Sequence, residues 1–468
     1  MVKVGFLILA EGRTREDVYQ SRRAGKLREA AMVRSALEKE LELVETDTED
    51  VRDKADLFKA LEKFRREHVD GCLIFVPIYI SAALAAMAVR LCDVPCAVLG
   101  NSSFDTFSRG GYLASVGAIE QAGLSFKRVA GDIREDRVRQ ELLHFFCACH
   151  AKKALEGMTY GMFGGRSLGI NTATADPAQW LKLFGIDMEQ IDQLQIVTEA
   201  ERLPQEEVRA CMDWVEKMYG ALQYKKGRFS EEHLEKMARS YLAVLKLAKK
   251  YSLDFLGLKC QPELSNGYVL QCMTVQLLND PYDHRGEKKP FVCSCEADCD
   301  GALTMEILQL LSGGKPTALQ DVCYYDDEKV VFANCGSSAS WFAKHSDHAK
   351  ENLKEVHLIP HSFGEAGGAA TQFTFAPGTY TYARLFRMDG VYKMATACVE
   401  VQPLEREELH NYSWSRPTAV AKGIDADRFS KVFGCNHMHC VVGDLRAELT
   451  EFCRLLGIEQ LKVDRQIS

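Results

Sequence analysis

Along the first 160 residues, continuous apolar runs alternate with segments whose apolar positions recur every three or four residues. VKVGFLILA, GCLIFVPIY and CAVLGN are the runs expected of strands buried on both faces, whereas LREAAMVRSALEKELEL and AALAAMAVRL carry a helical period. That rhythm predicts a parallel sheet with helices on both sides. A long helix over 134–156 leads to a glycine cluster, YGMFGGRSLGINTAT, and then to a second α/β unit. This unit has helices near 204–221 and 229–250, strands DFLGLKC and PFVCSCE with a helix between them, and the helix GALTMEILQLL. Beyond residue 314, short β-like runs (KVVFANCG, VHLIPH, TQFTF, TYTYARLF, VYKMATACVEV) are separated by glycine, proline and polar turns, as in a barrel or sandwich, and LRAELTEFCRLLG closes the chain as a helix. The predicted fold is α/β: two Rossmann-like α/β domains, 1–158 and 159–313, followed by a β-rich, barrel-like domain over 314–468.

Length and composition agree with this division. A chain of 468 residues exceeds what one core serves, and 47% apolar and 26% charged residues are ordinary for a folded protein. The net charge of -8 argues against nucleic acid or an anionic membrane as partner. The uncharged span from Cys72 to Val89 approaches membrane-crossing length, but Pro77 and Ser81 divide it into a strand-like and a helical half. With no export signal in MVKVGFLILAEGRTRE, the seventeen cysteines are expected to stay reduced in a cytoplasm. The loop AEGRTRED contains no G-x-G-x-x-G, so a nucleotide cofactor has no local support, and GGRSLG lacks the ending of a P-loop. Loops after parallel strands still face a ligand crevice, which makes Arg13 and the segment GNSSFDTFSRGG candidates for contact with an anionic or polyhydroxylated molecule.

The chemically dense stretch is CSCEADCDGALT, residues 293–304. A strand period of two places Val292, Ser294 and Glu296 on one face and Cys293 and Cys295 on the other, so Glu296 and the thiols should point apart. No second cysteine pair at finger-like spacing supports a closed zinc site, and Asp298 and Asp300 read as caps of the following helix. Glu296, at the carboxyl end of a buried strand, needs a cation or a proton. Asp321, at the start of the next strand pattern, is placed to return to the same edge, where two carboxylates repel unless a positive charge lies between them. GCNHMHCVVGD offers His437 and His439, which share a face at i, i+2. Two carboxylates and one imidazole suit manganese or magnesium better than zinc.

These motifs together resemble the L-fucose isomerase and L-arabinose isomerase family of metal-dependent ketol isomerases, along most of the chain. PFVCSCEADCDGALTMEILQLLSG followed by LQDV is similar to the segment carrying the family's glutamate and aspartate metal ligands, which fall on Glu296 and Asp321. CNHMHCVVGD resembles its Asn-His segment, placing a metal-binding histidine at His437 and a substrate-contacting asparagine at Asn436. FANCGSSAS resembles the loop that implies Ser337 as a sugar contact, and fainter matches imply Arg13, Gln261 and Trp414. The resemblance implies a homo-oligomer, trimer or hexamer, with the site between subunits, and Arg109 is the candidate for a contact in trans. It implies Mn2+ or another divalent cation such as Mg2+, no nucleotide cofactor, a small-molecule sugar as substrate, and interconversion of an aldose and its ketose through a metal-stabilised ene-diol. Glu296 and Asp321 would both hold the cation and move protons. The chain departs from the family at Asn334, where arabinose isomerases carry a histidine, and in FGEAGGAATQF, where an aromatic sugar contact is missing; these departures bear on which sugar is bound. The alternatives are a sugar-binding or sensor protein that has lost catalysis, and a nicotinamide-dependent oxidoreductase, against which the missing glycine fingerprint counts.

Overall fold

The computed structural model describes residues 1–102, 106–412 and 416–465. It divides into two compact units, Met1–Lys153 with Ala447–Leu455, and Ala154–Arg446 with Leu456–Ser468. In the first unit the apolar runs form an all-parallel sheet of Val2–Ile8, Leu41–Glu45, Gly71–Val76, Cys96–Gly100 and Lys127–Ala130, ordered 2-1-3-4-5 across the sheet. Cys72, Ile74 and Val76 pack into one apolar cluster and Leu73 and Phe75 into another, so both faces are covered and the run is continuously apolar. The uncharged span after Cys72 is cut as expected: its strand ends at Val76 and a helix starts at Ala82. No helix among the described residues is long and apolar enough to cross a membrane. The expected helix LREAAMVRSALEKELEL is in fact two elements. A helix over Glu16–Leu37 stops, and LELVE, with Leu41 and Val44 buried, pairs as an edge strand against Val2–Phe6.

The second unit holds two larger sheets. The first is parallel and runs Cys293–Cys295, Phe255–Leu258, Thr159–Phe163, Asp187–Ile191. Between its strands at 255 and 293 lie two helices rather than one, Glu263–Gly267 and Cys272–Asn279. The other sheet is β-rich and closes on itself. Gly378–Met388 pairs with His437–Val442, then follow Ala318–Tyr325, Val330–Ala333, Thr418–Lys422 and Val391–Val401, which pairs back onto Gly378–Met388. Closure leaves no long free edge, which suits a set of strands this rich in Tyr, Thr and Val. The helix Arg446–Leu456 is not the last element, because Glu459–Lys462 returns as a strand beside Val391–Val401.

One helix joins these sheets. Cys299–Leu311 packs against Phe255–Leu258 of the parallel sheet and against Gly378–Met388 and His437–Val442 of the barrel. Covered on several sides, it is buried nearly all round, and its apolar residues are not confined to one stripe. It also carries Glu306, 5% exposed, whose carboxyl is pushed up to about 8 by burial and by the charge of Asp254. An unfolded glutamate ionises near ~4.3. Between these two values the unfolded chain loses a proton that the folded one keeps, so Glu306 costs stability increasingly as pH rises through this window. Glu306→Gln is therefore expected to raise the thermal unfolding midpoint at pH 8.5 while leaving it nearly unchanged at pH 4.5, with a gain of about 1 kcal/mol or more at the higher pH. Equal effects at both pH values in a differential scanning experiment would contradict the assignment.

Candidate active site

The strand Cys293–Cys295 ends in an abrupt change of backbone direction. Glu296 (φ 61°) and Ala297 (φ 50°) are consecutive non-glycine residues in the left-handed region, a costly conformation that persists only where the surroundings enforce it. The enforcement is visible at Gly257, paired with Ser294 on the next strand: a Cβ there would lie 2.9 Å from the Cα of Ala297 and 2.2 Å from the Tyr160 hydroxyl. Glu296 thus lies beyond the strand, and period-two alternation does not reach it. The expectation that Glu296 and the thiols point apart is overturned for Cys295, which lines the same small cavity as Glu296 together with Cys260, Gln261, Cys272 and Cys335.

Asp321 and His437 come from the barrel. They are cross-strand partners on Ala318–Tyr325 and His437–Val442 and so project from one face as neighbours. Asp321 is therefore in the middle of an antiparallel strand, and not at an edge of the sheet that ends in Glu296. The three side chains nevertheless converge. His437 Nε2 lies 3.4 Å from Glu296 Oε2 and 3.5 Å from Asp321 Oδ1. The imidazole is 1% exposed, while the two carboxylates retain 18% and 20% exposure and so form the open side of the cluster.

Asp298 sets the orientation of the ring. Its Oδ2 accepts from His437 Nδ1 at 2.8 Å and pairs with the fully buried Arg384, while its Oδ1 caps the helix by accepting from Gly301 N–H at 2.9 Å. A neutral His437 that donates through Nδ1 presents the Nε2 lone pair to two carboxylates. His437 Nε2 and Glu296 Oε2 are both buried without a hydrogen-bond partner among the described residues. Three electron-rich atoms facing one another need a positive charge between them, either a proton or a cation. The electrostatics point the same way. Burial favours a neutral His437, but the surrounding carboxylates of Asp298, Asp321 and Glu296 hold its pKa well above the usual imidazole value. Burial raises the Glu296 carboxyl against the pull of His437. Although burial alone would raise it too, Asp298 is held far below the carboxylate range by Arg384 and His437. Two carboxylate oxygens and an imidazole nitrogen form a donor set that fits a hard divalent cation.

His439 is fully buried behind Asp298, its Nε2 4.0 Å from Asp298 Oδ2 and both ring nitrogens without a hydrogen-bond partner among the described residues. Burial and Arg384 keep this ring neutral. Close packing here also explains Gly301, since a Cβ would stand 2.6 Å from both His439 Nε2 and Asp298. Asp300 goes elsewhere, accepting from Tyr392 at 2.8 Å and Trp180 Nε1 at 3.2 Å.

Of the other sequence candidates, Asn436 is exposed and donates through Nδ2 to Asp321 Oδ1 at 3.3 Å. Ser337 is buried in a loop folded by Asn334, whose Oδ1 accepts from the N–H groups of Gly336 and Ser337 and whose Nδ2 donates to Leu319 O and Ser338 Oγ. Gln261 lines the cavity beside Glu296. Arg13 belongs to the first unit, exposed and paired with Glu11 at 2.9 Å, and Arg109 is exposed in the first turn of the helix Ser108–Gln121 of that unit. Trp414 lies outside the described residues. Sequence reasoning missed the pairing of Asp298 with Arg384: it recognised the cap at Asp298, but nothing in spacing links residues 298 and 384.

Comparison with known proteins agrees with the resemblance of the motifs. Residues 332–462 match the family model for the L-fucose isomerase C-terminal domain. Sulfoquinovose isomerase of Priestia megaterium is 25% identical over 339 residues, 71% of this chain and 71% of its own length. L-fucose isomerase of Haemophilus influenzae is 24% identical over 403 residues, covering 70% of this chain and 67% of the enzyme. The chain is thus similar to the sulfoquinovose and L-fucose isomerases, and over residues 332–462 it matches the model of the L-fucose isomerase C-terminal domain.

Proposed function

We propose that this protein is a metal-dependent aldose–ketose isomerase in which Glu296, Asp321 and His437 hold one divalent cation, Mn2+ or Mg2+. The observation that carries this reading is the buried His437 Nε2, aimed at two carboxylates and lacking a hydrogen-bond partner among the described residues. When bound, the cation supplies positive charge to the two adjacent oxygens of the open-chain sugar, the need of any reaction that passes through an ene-diol. The remaining work falls to the chain. A carboxylate removes the proton from C2 of the aldose and it is returned at C1, while a second proton moves from the C2 oxygen to the C1 oxygen. Glu296, its pKa raised by burial, is a stronger base than an ordinary exposed glutamate, and Asp321 is placed for the opposite transfer. Asn436, bonded to Asp321, and Ser337 and Gln261 orient hydroxyls. Arg13, Arg109 and Trp414 belong to the same proposal as sugar contacts in a homo-oligomer, trimer or hexamer, whose sites lie between subunits. Sulfoquinovose and L-fucose, the sugars in the relatives' names, are the first aldoses to test.

Asp298 and Arg384 touch no substrate in this scheme. Their task is to keep the Nδ1 proton of His437 in place, so that Nε2 remains a lone-pair donor.

Glu296→Gln keeps the shape of the side chain but removes both charge and basicity. Turnover in a ketose-formation assay is expected to fall by about a thousandfold or more with the unfolding midpoint preserved; activity within tenfold of the parent would exclude Glu296 as a base. Dialysis against a chelator should abolish ketose formation and added Mn2+ should restore it, whereas activity that survives complete metal removal would overturn the metal-dependent reading. Asp298→Asn should weaken Mn2+ binding about 10- to 100-fold in a direct titration, and unchanged affinity would show that the ring needs no such support.

A further inference from the structure

We propose that Cys272, Cys335 and His361, with Cys295 beside them, form a second cation site for a soft ion, Zn2+, adjoining the carboxylate site. The sulfurs of Cys272 and Cys335 and a ring nitrogen of His361 all lie within 4.8 Å of one another. Cys295 Sγ is 3.7 Å from Cys335 Sγ, and two sulfurs on a tetrahedral zinc with Zn–S bonds of about 2.3 Å stand about 3.8 Å apart. The imidazole supplies an independent indication. His361 is 2% exposed, its Nδ1 already accepts from Phe363 N–H at 2.9 Å, and its Nε2 is buried with no hydrogen-bond partner among the described residues.

The residues come from four separate places in the fold. Cys272 opens the helix Cys272–Asn279, Cys295 ends a parallel strand, Cys335 follows the strand Val330–Ala333, and His361 follows His357–Pro360. No motif spacing links them, which is why a search for cysteine pairs along the sequence passes them by. Ligation at Nε2 moves the ring proton to Nδ1 at the expense of the Phe363 hydrogen bond, so the site is suited to exchanging its ion rather than keeping one permanently. Cys335 is half-buried, which leaves a route of entry.

The position of the site gives it a consequence. Cys295 immediately precedes Glu296, and the thiols share a cavity with the Glu296 carboxylate. An ion held by Cys295 and Cys335 sits beside the left-handed turn that aims Glu296 and competes for its carboxylate, so Zn2+ inhibits. This inhibitory effect rests on the isomerase reading, whereas binding itself does not.

The test uses the full chain, stripped of metal and kept reduced with a phosphine, titrated with Co2+ alone as the spectroscopic substitute for zinc. A near-ultraviolet sulfur-to-cobalt charge-transfer band is expected to saturate at one equivalent, to be displaced by Zn2+, and to persist in Glu296→Gln. It should be lost or shifted to at least about tenfold higher Co2+ in both Cys335→Ser and Cys272→Ser. Absence of the band, its survival in both serine variants, or loss of thiols without metal uptake, the mark of a disulfide pair, would each overturn the proposal. Absence of turnover with every aldose while the band behaves as expected would remove the isomerase reading and leave the site standing.

Discussion

The contact on which the rest of the site depends is the one between Asp298 and His437. A fully buried carboxylate is costly, and here it is compensated by a guanidinium on one side, an imidazole N–H on another and a helix N-terminus on a third. That arrangement fixes which nitrogen of His437 carries the proton. Everything in front of the ring follows from it: with Nδ1 committed to Asp298, Nε2 is left facing Glu296 and Asp321, and the cluster needs one positive charge, a proton or a cation.

Building such a cluster requires two kinds of sheet. Glu296 is delivered by the carboxyl end of a parallel strand, and Asp321 and His437 by cross-strand pairing in the closed antiparallel sheet. The helix Cys299–Leu311, packed against both, carries Asp298 at its cap and ties the two deliveries together. Two glycines mark where the tolerance is smallest. Gly257 makes room for the backbone that turns Glu296 away from its strand, and Gly301 makes room for Asp298 and His439. The strain of consecutive left-handed residues at 296 and 297 is located at the residue with the most demanding chemistry, a common place for a fold to hold it.

Much of this was legible in the sequence, though unevenly. Continuous apolar runs such as GCLIFV declare themselves because a strand buried on both faces must be apolar throughout, and the all-round apolar helix after Asp298 reads for the same reason. Glu296, Asp321 and His437 were singled out from residue type and family motif, and the structure places them within one cluster. What failed was local geometry. Alternation put Glu296 opposite the thiols because a period-two argument presumes an extended backbone, and no sequence pattern announces that Glu296 and Ala297 leave it. ELEL was read as the tail of a helix because leucine and glutamate are good helix formers, whereas pairing with Val2–Phe6 decides otherwise. Asp298 was recognised as a cap, but its second role depends on Arg384, 86 residues further along the chain, and on a fold that no spacing encodes.

The most direct measurement of the central claim is crystallographic: crystals of the full chain equilibrated with Mn2+, with data collected on both sides of the manganese absorption edge. The account predicts one strong anomalous peak bounded by Glu296, Asp321 and His437, with Asp298 still bonded to His437 Nδ1. A peak among Cys272, Cys335 and His361 with none at the carboxylates, or ordered carboxylates that turn away from His437 without binding manganese, would contradict it.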